Sequence, residues 1–318
     1  MRIGYFLSTE ECTPQVLVEQ ARLAEEAGFE ALWISDHFHP WNDAQGQSPF
    51  VWSVIGGISQ VCRLPVTTAV TCPTVRIHPA IIAQAAATAS VLLEGRFVLG
   101  VGSGEALNEH VLGDRWPSAD VRLEMLEEAV EVMRKLWEAE GFVYHHGKHY
   151  TVENARIYTR PDNPPPVYVS AFGGNSFDLA LRVGDGFITT SPDAERVKQW
   201  KAKKGAGAPT QVGYKVAVAD TEDEGVAIAH RLWRNSGVPG ELSQVLPSPK
   251  HFEQVSELVT EEMTRESVTA GKDVGAHVEE FQTYAAAGFD EIYISNMGEN
   301  YRQFFELYRD EVLPAVRA

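Results

Sequence analysis

Residues 25–36 read EEAGFEALWISD, the end of a helix, then a glycine, then an apolar strand that runs into polar residues. Residues 285–296 read AAAGFDEIYISN and repeat this design near the other end of the chain. A helix that ends at glycine and leads directly into a buried strand is typical of a repeating β/α unit. The likeness of the first and last units supports a sheet that closes on itself.

Eight apolar runs alternate with predicted helices along the 318 residues. The predicted strands are residues 2–7, 31–35, 66–71, 97–104, 166–172, 187–190, 211–219 and 291–295. Continuously apolar strands joined by helices indicate a parallel sheet covered on both faces. Eight such units in this length favour an α/β fold of the (β/α)8 TIM barrel type with insertions.

Three features depart from the strict alternation. Residues 142–159 predict a hairpin around Gly147, and its histidines His145, His146 and His149 are expected on the exposed surface. Residues 222–288 predict mostly helices, with a loop near Pro247, and form the largest insertion. No linker or shift in composition interrupts the chain, so we expect residues 1–318 to form a single domain.

The composition is that of a globular protein, with 44% hydrophobic residues, 22% charged residues and a net charge of −17. The absence of a basic run argues against nucleic acid or an anionic membrane surface as a partner. Cys12, Cys62 and Cys72 lack C-x-x-C spacing, which argues against a disulfide framework or structural zinc. With no signal-peptide pattern and no membrane-spanning run, we expect a cytoplasmic protein acting on a small molecule.

Polar clusters follow several predicted strands, and the loops at the carboxyl ends of barrel strands build the active site. The first cluster is SDHFHPW at residues 35–41. Its His-x-His pair, His37 and His39, could hold zinc, as in metal-dependent barrel hydrolases, but the other strand ends offer no histidine. Alternatively Asp36 caps the loop and the histidines are ordinary half-buried residues. We favour an acid/base site, in which a carboxylate fixes the tautomer of His37, and expect no metal.

A second cluster, GSGEALNE at residues 102–109, superficially suggests a dinucleotide-binding fingerprint, but no Rossmann half follows it. Gly102 and Gly104 would let the backbone pass close to a bulky planar ligand. Glu105 would then project a carboxyl group suited to proton donation into a crowded pocket. The alternative is that Glu105 is only an acid at a helix N-terminus, favoured by the helix dipole.

A third cluster, FGGNS at residues 172–176, lies between a strand and a helix. Free amides at a helix N-terminus can bind phosphate, and TIM barrels commonly do so at such a position. Gly173 and Gly174 are therefore candidate phosphate-binding residues. The alternative is a plain turn between the strand and the helix.

Four segments together resemble a known superfamily: WISDHFHPW (33–41), VTTAVTCPTVRIHPAIIAQAAAT (66–88), FVLGVGSGEALNE (97–109) and PVYVSAFGGNSFDLALRVGDGFI (166–188). Their order is similar to the bacterial luciferase-like flavin/deazaflavin oxidoreductases, and within them to the coenzyme F420-dependent dehydrogenases typified by F420-dependent glucose-6-phosphate dehydrogenases. The resemblance implies coenzyme F420, hydride transfer from a hydroxyl or hemiacetal carbon of a sugar, sugar phosphate or secondary alcohol, and a homodimer. The alternative in the same superfamily is an FMN-dependent monooxygenase.

The resemblance also implies roles for individual residues. His37 would accept the proton of the substrate hydroxyl, Trp41 would wall the site and stabilise the transition state, and Glu105 would donate a proton to the ring nitrogen N1 of the cofactor. Residues Ala69 and Val70 match a cis peptide bond under the ring. The residues that would contact the cofactor are Asp36, His37, Ala69, Val70, Cys72, Asn108, Gly173 and Gly174.

The candidate substrate-binding residues are His39, Thr190 and Arg265, the last matching an arginine that grips the substrate phosphate in the sugar-phosphate enzymes. Asp193 lies close to the place of the first phosphate-binding lysine of those enzymes, and the place of the second falls near Gln254. A carboxylate beside a phosphate dianion is repulsive. The resemblance therefore implies a different alcohol, hemiacetal or sugar derivative rather than glucose 6-phosphate.

Overall fold

A computed structural model describes all residues 1–318 and shows a closed barrel of eight parallel strands. The strands are β1 (Arg2–Leu7), β2 (Ala31–Ile34), β3 (Val66–Thr68), β4 (Phe97–Val101), β5 (Val143–His146), β6 (Thr151–Ala155), β7 (Val167–Ser170), β8 (Gly186–Thr189), β9 (Thr210–Ala217), β10 (Thr269–Ala270) and β11 (Glu291–Asn296). The barrel order is β1-β2-β3-β4-β7-β8-β9-β11, and β11 pairs with β1 to close it. The predicted (β/α)8 TIM barrel is confirmed.

Helices cover the outside of the barrel and fill the insertions. They are α1 (Pro14–Ala27), α2 (Val51–Val61), α3 (Pro79–Leu92), α4 (Ala106–Glu109), α5 (Ala119–Glu138), α6 (Gly174–Val183), α7 (Ala194–Lys204), α8 (Glu222–Trp233), α9 (Leu242–Val245), α10 (Pro249–Ser256), α11 (Glu261–Ser267), α12 (Val274–Ala286), α13 (Tyr301–Leu307) and α14 (Leu313–Arg317). Helix α1 follows its sequence signals, with the Thr13 side chain at its N-cap and Gly28 in the left-handed conformation (φ 92°) at its C-cap.

Large side chains pack the barrel interior, and glycines on neighbouring strands make room for them. The rings of Trp33 and Tyr293 stack with centroids 4.4 Å apart. A Cβ atom at Gly213 would lie 2.3 Å from the Trp33 ring, and one at Gly4 would lie 2.3 Å from the Tyr293 ring. Because a barrel of eight strands is filled by side chains, the ligand site is confined to its end.

The structure differs from the sequence-based expectations in three places. The two-residue strand β10 adds to β9 outside the closed barrel and was not predicted, and neither was the short helix α4. The hairpin of β5 and β6 is as predicted, but His145 is buried rather than exposed, so that expectation was wrong. Its Nε2 lies 3.0 Å from Glu128 on α5, which explains how the hairpin can bury a polar ring.

All eight barrel strands belong to one continuous sheet, which supports our proposal of a single domain over residues 1–318. None of the helices combines the length and the apolar character needed to cross a lipid bilayer.

Candidate active site

His37 lies at the carboxyl end of β2, and one buried side chain, that of Asn108, holds its loop in place. The Asn108 Oδ1 accepts hydrogen bonds from the backbone N–H groups of Phe38 (2.8 Å) and His39 (2.9 Å). This orients the amide, so that Nδ2 donates to Glu105 Oε1 at 2.5 Å and lies 2.9 Å from His37 Nδ1. One amide therefore connects the loops that follow β2 and β4.

The other ring nitrogen of His37 faces two carboxylates. Its Nε2 lies 3.6 Å from Glu10 Oε1 and 3.9 Å from Glu105 Oε1. Glu10 is buried, and its Oε2 accepts hydrogen bonds from the hydroxyls of Ser8 (2.9 Å) and Ser35 (2.7 Å). Burial raises the pKa of Glu10, but His37, Lys215 and the Ser35 hydroxyl outweigh it and lower the pKa to about 2. Glu10 is therefore a carboxylate at neutral pH and can stabilise a protonated His37.

Glu105 is the N-cap residue of the four-residue helix α4, but its side chain makes no capping hydrogen bond. Its Oε1 instead accepts from Asn108, and its side chain is 22% exposed beside His37. The partly exposed carboxyl group is open to a ligand at the carboxyl end of the barrel. Its position is therefore not explained by helix capping alone.

Trp41 forms one wall of the site. Its ring centroid lies 5.1 Å from that of His37 and 5.0 Å from that of Phe252, which it meets edge to face. Phe252 lies on α10, so the insertion between β9 and β11 supplies the other side of this wall. The side chains of Asn42 and Gln45 each donate a hydrogen bond of 2.9 Å to the Leu232 carbonyl, and these bonds link the loop after β2 to helix α8 at the start of the insertion.

His39 points away from His37. Its Nδ1 lies 2.9 Å from the carbonyl oxygen of Leu107, while His37 Nε2 faces Glu10 and Glu105. The two rings are thus held in separate hydrogen-bonding environments. Across the whole chain, no set of three or more His, Cys, Asp and Glu side chains is arranged to hold a metal ion.

Asp36 belongs to a buried charge cluster behind the loop. Its Oδ2 accepts a hydrogen bond from Thr71 Oγ1 and its Oδ1 pairs with Arg76 Nη2, each at 2.8 Å. Arg76 also donates its backbone N–H to Glu109 Oε2 at 2.9 Å. Burial raises the pKa of Glu109 to about 7, although Arg76 opposes this rise. Asp36 therefore stabilises the loop from behind.

The floor of the site is shaped for a flat ligand. The peptide bond between Ala69 and Val70 is cis, as the resemblance implied. A Cβ atom at Gly102 would lie 2.7 Å from Val70 Cγ2, and Gly104 adopts a φ of +80° close to Cys72 Sγ. Burial raises the pKa of Cys72 well above its usual value, so Cys72 presents a neutral thiol here. These residues fit a bulky planar group lying across the ends of β3 and β4.

Gly173 and Gly174 begin helix α6 and are exposed. The Gly173 N–H lies 3.1 Å from Ser176 Oγ, and a Cβ atom at Gly174 would meet nothing within 4 Å. The guanidinium group of Arg196 lies 3.3 Å from the Gly173 carbonyl oxygen. The Gly173 N–H is therefore used within the turn, and the exposed Gly174 at the N-terminus of α6, with an arginine nearby, fits an anionic group such as a phosphate.

The predicted substrate-binding residues do not contact one another. Thr190 is exposed at the end of β8. Arg265 on α11 pairs with Glu222 and Asp223 of α8, each at 2.7 Å. Asp193 caps α7 by accepting from the Arg196 N–H at 3.1 Å, and Gln254 is exposed.

Sequence reasoning missed several residues that the structure brings to the site, among them Glu10, Arg76, Lys215 and Phe252. Glu10 lies three residues after the end of β1, so its position in a strand-end loop was an available signal. Arg76 lies eight residues after the end of β3 and Phe252 lies 35 residues after the end of β9, and only the folded chain brings them to Asp36 and Trp41.

Comparisons with known proteins agree with this architecture. Residues 1–291 match the family model described as luciferase-like monooxygenase. The F420-dependent glucose-6-phosphate dehydrogenase of Microbacterium testaceum (strain StLB037) is 33% identical over 329 residues, covering 100% of this chain and 98% of the relative. That of Kribbella flavida (strain DSM 17836 / JCM 10339 / NBRC 14399) is 35% identical over 331 residues, with 100% and 98% covered.

Among solved structures, an F420-dependent secondary alcohol dehydrogenase in complex with an F420-acetone adduct superposes with a TM-score of 0.91. It is 31% identical, and the match covers 100% of this chain and 99% of that one. The predicted resemblance is therefore confirmed. The chain belongs to the luciferase-like monooxygenase family.

Proposed function

We propose that this protein is a coenzyme F420-dependent dehydrogenase that oxidises a hydroxyl or hemiacetal carbon. The observation that carries the proposal is the placement of His37 Nε2 between the carboxylates of Glu10 and Glu105, 3.6 Å and 3.9 Å away. The names of the relatives that match over their full length support the same cofactor and the same type of reaction.

The deazaflavin, when bound, supplies the carbon that accepts the hydride. His37 takes the proton of the substrate hydroxyl while the carbon that carries this hydroxyl loses a hydride, so that an alcohol leaves as a carbonyl compound. The carboxylate of Glu10 stabilises the protonated imidazole, and the ring of Trp41 shields the reacting groups from water. Glu105 holds a proton for the ring nitrogen N1 of the cofactor.

The residues on the floor fit the cofactor. The backbone at Ala69, Val70 and Gly102 would lie against the ring, with Cys72 beside it. Asp36 and Asn108 would act by fixing the loop that carries His37, since both side chains are fully engaged by protein groups. Gly173 and Gly174 would bind the phosphate of the side chain through the N-terminus of α6.

We propose an alcohol, hemiacetal or sugar derivative without a phosphate as the substrate, with His39 and Thr190 as candidate contacts. The two terminal nitrogens of Arg265 are already paired with carboxylates. Asp193, three residues after Thr190, is 38% exposed, and its carboxylate already pairs with Arg196 Nε at 3.1 Å, so this position offers no free positive charge to a substrate phosphate. Neither feature favours a phosphorylated sugar.

One assay tests the function: reduction of F420 by the purified protein with sugar phosphates, free sugars and secondary alcohols. We expect turnover with a non-phosphorylated alcohol or sugar, and about 10²–10⁴-fold less with His37→Ala. His146→Ala, on the exposed part of the hairpin, is the matched control and should keep full activity. Tighter binding of FMN than of F420, with oxygen consumption and no alcohol oxidation, would establish a monooxygenase instead.

We also propose that the protein forms a homodimer in the cytoplasm. An apolar groove between α2 and α3 leaves Phe50 and Ile81 more than half exposed, at 54% and 56%, which is typical of an interaction surface. All three cysteines are free, as suits a reducing compartment.

A further inference from the structure

Lys215 lies at the centre of a buried group of charges that includes Glu10, and Lys215 itself has no role in the proposed reaction. It is on β9, its side chain enters the end of the barrel, and its Nζ is buried without a hydrogen-bond partner. The ammonium lies over two aromatic rings, 3.8 Å from the Trp233 centroid and 4.4 Å from the Phe6 centroid. An ammonium that is buried and has no hydrogen bond is costly, so its charge must be balanced nearby.

Two carboxylates on the loop after β1 provide this balance. Glu10 faces His37 and accepts the Ser8 and Ser35 hydroxyls. Glu11 accepts the Trp233 Nε1–H and the Gly298 N–H, each at 2.6 Å. Burial lowers the pKa of Lys215, and the two carboxylates oppose this effect. Trp233 thus contacts both the cation, through its ring face, and Glu11, through its N–H.

The charges of this cluster can be counted. With Glu10 and Glu11 ionised and Lys215 protonated, the sum is −1 while His37 is neutral. When His37 accepts a proton the sum becomes zero. We propose that Lys215 is a positioning residue whose positive charge, opposed by the carboxylate of Glu11, limits the negative field that Glu10 exerts on His37 and so keeps His37 able to accept a proton. The inference rests on the proposed role of His37 as the base.

The other groups that face His37 do not supply a cation. Glu105 contributes a carboxyl group at 3.9 Å and no positive charge, Asn108 is neutral, and Trp41 presents its ring. Cys12, beside Lys215, has a pKa raised to about 12 by burial and Glu11, and so stays neutral. Arg76 is engaged with Asp36 and Glu109 behind the loop. Lys215 is therefore the cation that faces Glu10 from within the barrel.

Charge-removing variants test this role through the pH dependence of kcat/KM. Lys215→Met replaces the cation by an apolar chain of similar length. The acid limb of the profile, where kcat/KM rises as His37 loses its proton, should move to higher pH by about one unit or more, because the imidazolium form of His37 is then favoured. Glu11→Gln should move the limb down. The double variant, with the sum of charges restored, should return it toward the starting value. A merely structural role of Lys215 predicts none of these opposed shifts.

Two controls accompany these variants. Lys201→Met removes a lysine that pairs with Asp290 at the amino end of the barrel and should leave the limb unchanged. Lys215→Arg retains the positive charge and should also retain the pH at which the acid limb lies. If Lys215→Met does not fold, Glu11→Gln alone still decides, since its predicted shift has the opposite sign.

A measurement on the cofactor-free protein separates this inference from the proposed function. The proton of His37 is followed by an NMR pH titration, with its signal assigned by His37→Gln. Opposed shifts of this titration in Lys215→Met and Glu11→Gln would support the proposed effect of Lys215 on His37 even in a protein that never reduces F420. Full F420-dependent activity with an unmoved His37 titration in both variants would overturn the inference and leave the proposed function intact.

Discussion

Replacing Asn108 by alanine should destabilise the protein and disorder the base. The Asn108 Oδ1 accepts the N–H groups of Phe38 and His39 at 2.8 Å and 2.9 Å, and the substitution leaves both without a partner. A buried donor that loses its partner costs about 1–3 kcal/mol. Because both bonds are only partly buried, we expect the free energy of unfolding to fall by about 2–4 kcal/mol in total. Turnover should fall as well, since His37 and Glu105 both lose the amide that orients them.

Urea unfolding followed by tryptophan fluorescence measures this loss directly. Asn163→Ala, in an exposed loop, is the matched control and should change the free energy of unfolding by less than about 0.5 kcal/mol. Asn108→Asp keeps an oxygen for the two backbone amides but loses the N–H donors toward His37 and Glu105. It should therefore retain the fold better than it retains turnover. A loss below about 1 kcal/mol in Asn108→Ala would refute the reasoning, because the two amides would then have found other partners.

Three further predictions concern other parts of the molecule. Glu105→Gln should bind F420 in a fluorescence titration but lose about 10²–10⁴-fold in kcat, and unchanged turnover would remove Glu105 from the mechanism. The pKa of Glu109 is about 7 against a usual 4.5, so its contribution to stability is present below about pH 4.5 and is lost as the pH rises to about 7. The unfolding free energy of the wild type minus that of Glu109→Gln should therefore fall by about 3 kcal/mol between about pH 4.5 and about pH 7. A difference that does not change with pH would contradict the raised pKa. Ile81→Glu should convert the proposed dimer to a monomer in light scattering, while Leu258→Glu, at another exposed apolar position, should not; a dimer that survives Ile81→Glu would place the interface elsewhere.

The strands were predictable because each is a short apolar run bounded by clear turn signals. The eight barrel strands fall within or close to the predicted runs, and the capped helix α1 begins at Pro14 as its signals indicate. The strand β10 could not be predicted, because two residues carry no period and their pairing with β9 depends on the fold. Local patterns therefore identified the barrel and the β5–β6 hairpin, but not the short elements β10 and α4.

The site was predictable only where its residues sit beside strand ends. His37, Glu105 and the cis bond at Ala69–Val70 came from the motif that contains them. The partner of Asp36 did not, because Arg76 is 40 residues away and reaches it only in the folded barrel. His145 was misplaced for a similar reason, since its burial depends on Glu128 of another element. Pairings between distant residues depend on tertiary geometry, which a local pattern does not contain.

The packing of Phe252 against Trp41 has a consequence for how such proteins can be altered. Phe252 and Leu232 come from the chain between β9 and β11, whereas His37 and Glu105 come from the loops after β2 and β4. The proposed chemistry and the packing that supports the Trp41 wall are thus encoded in separate stretches of sequence. Exchanging residues 234–268 with those of a relative should transfer the preference for an alcohol without rebuilding the base, provided that the anchor to Asn42 and Gln45 is kept.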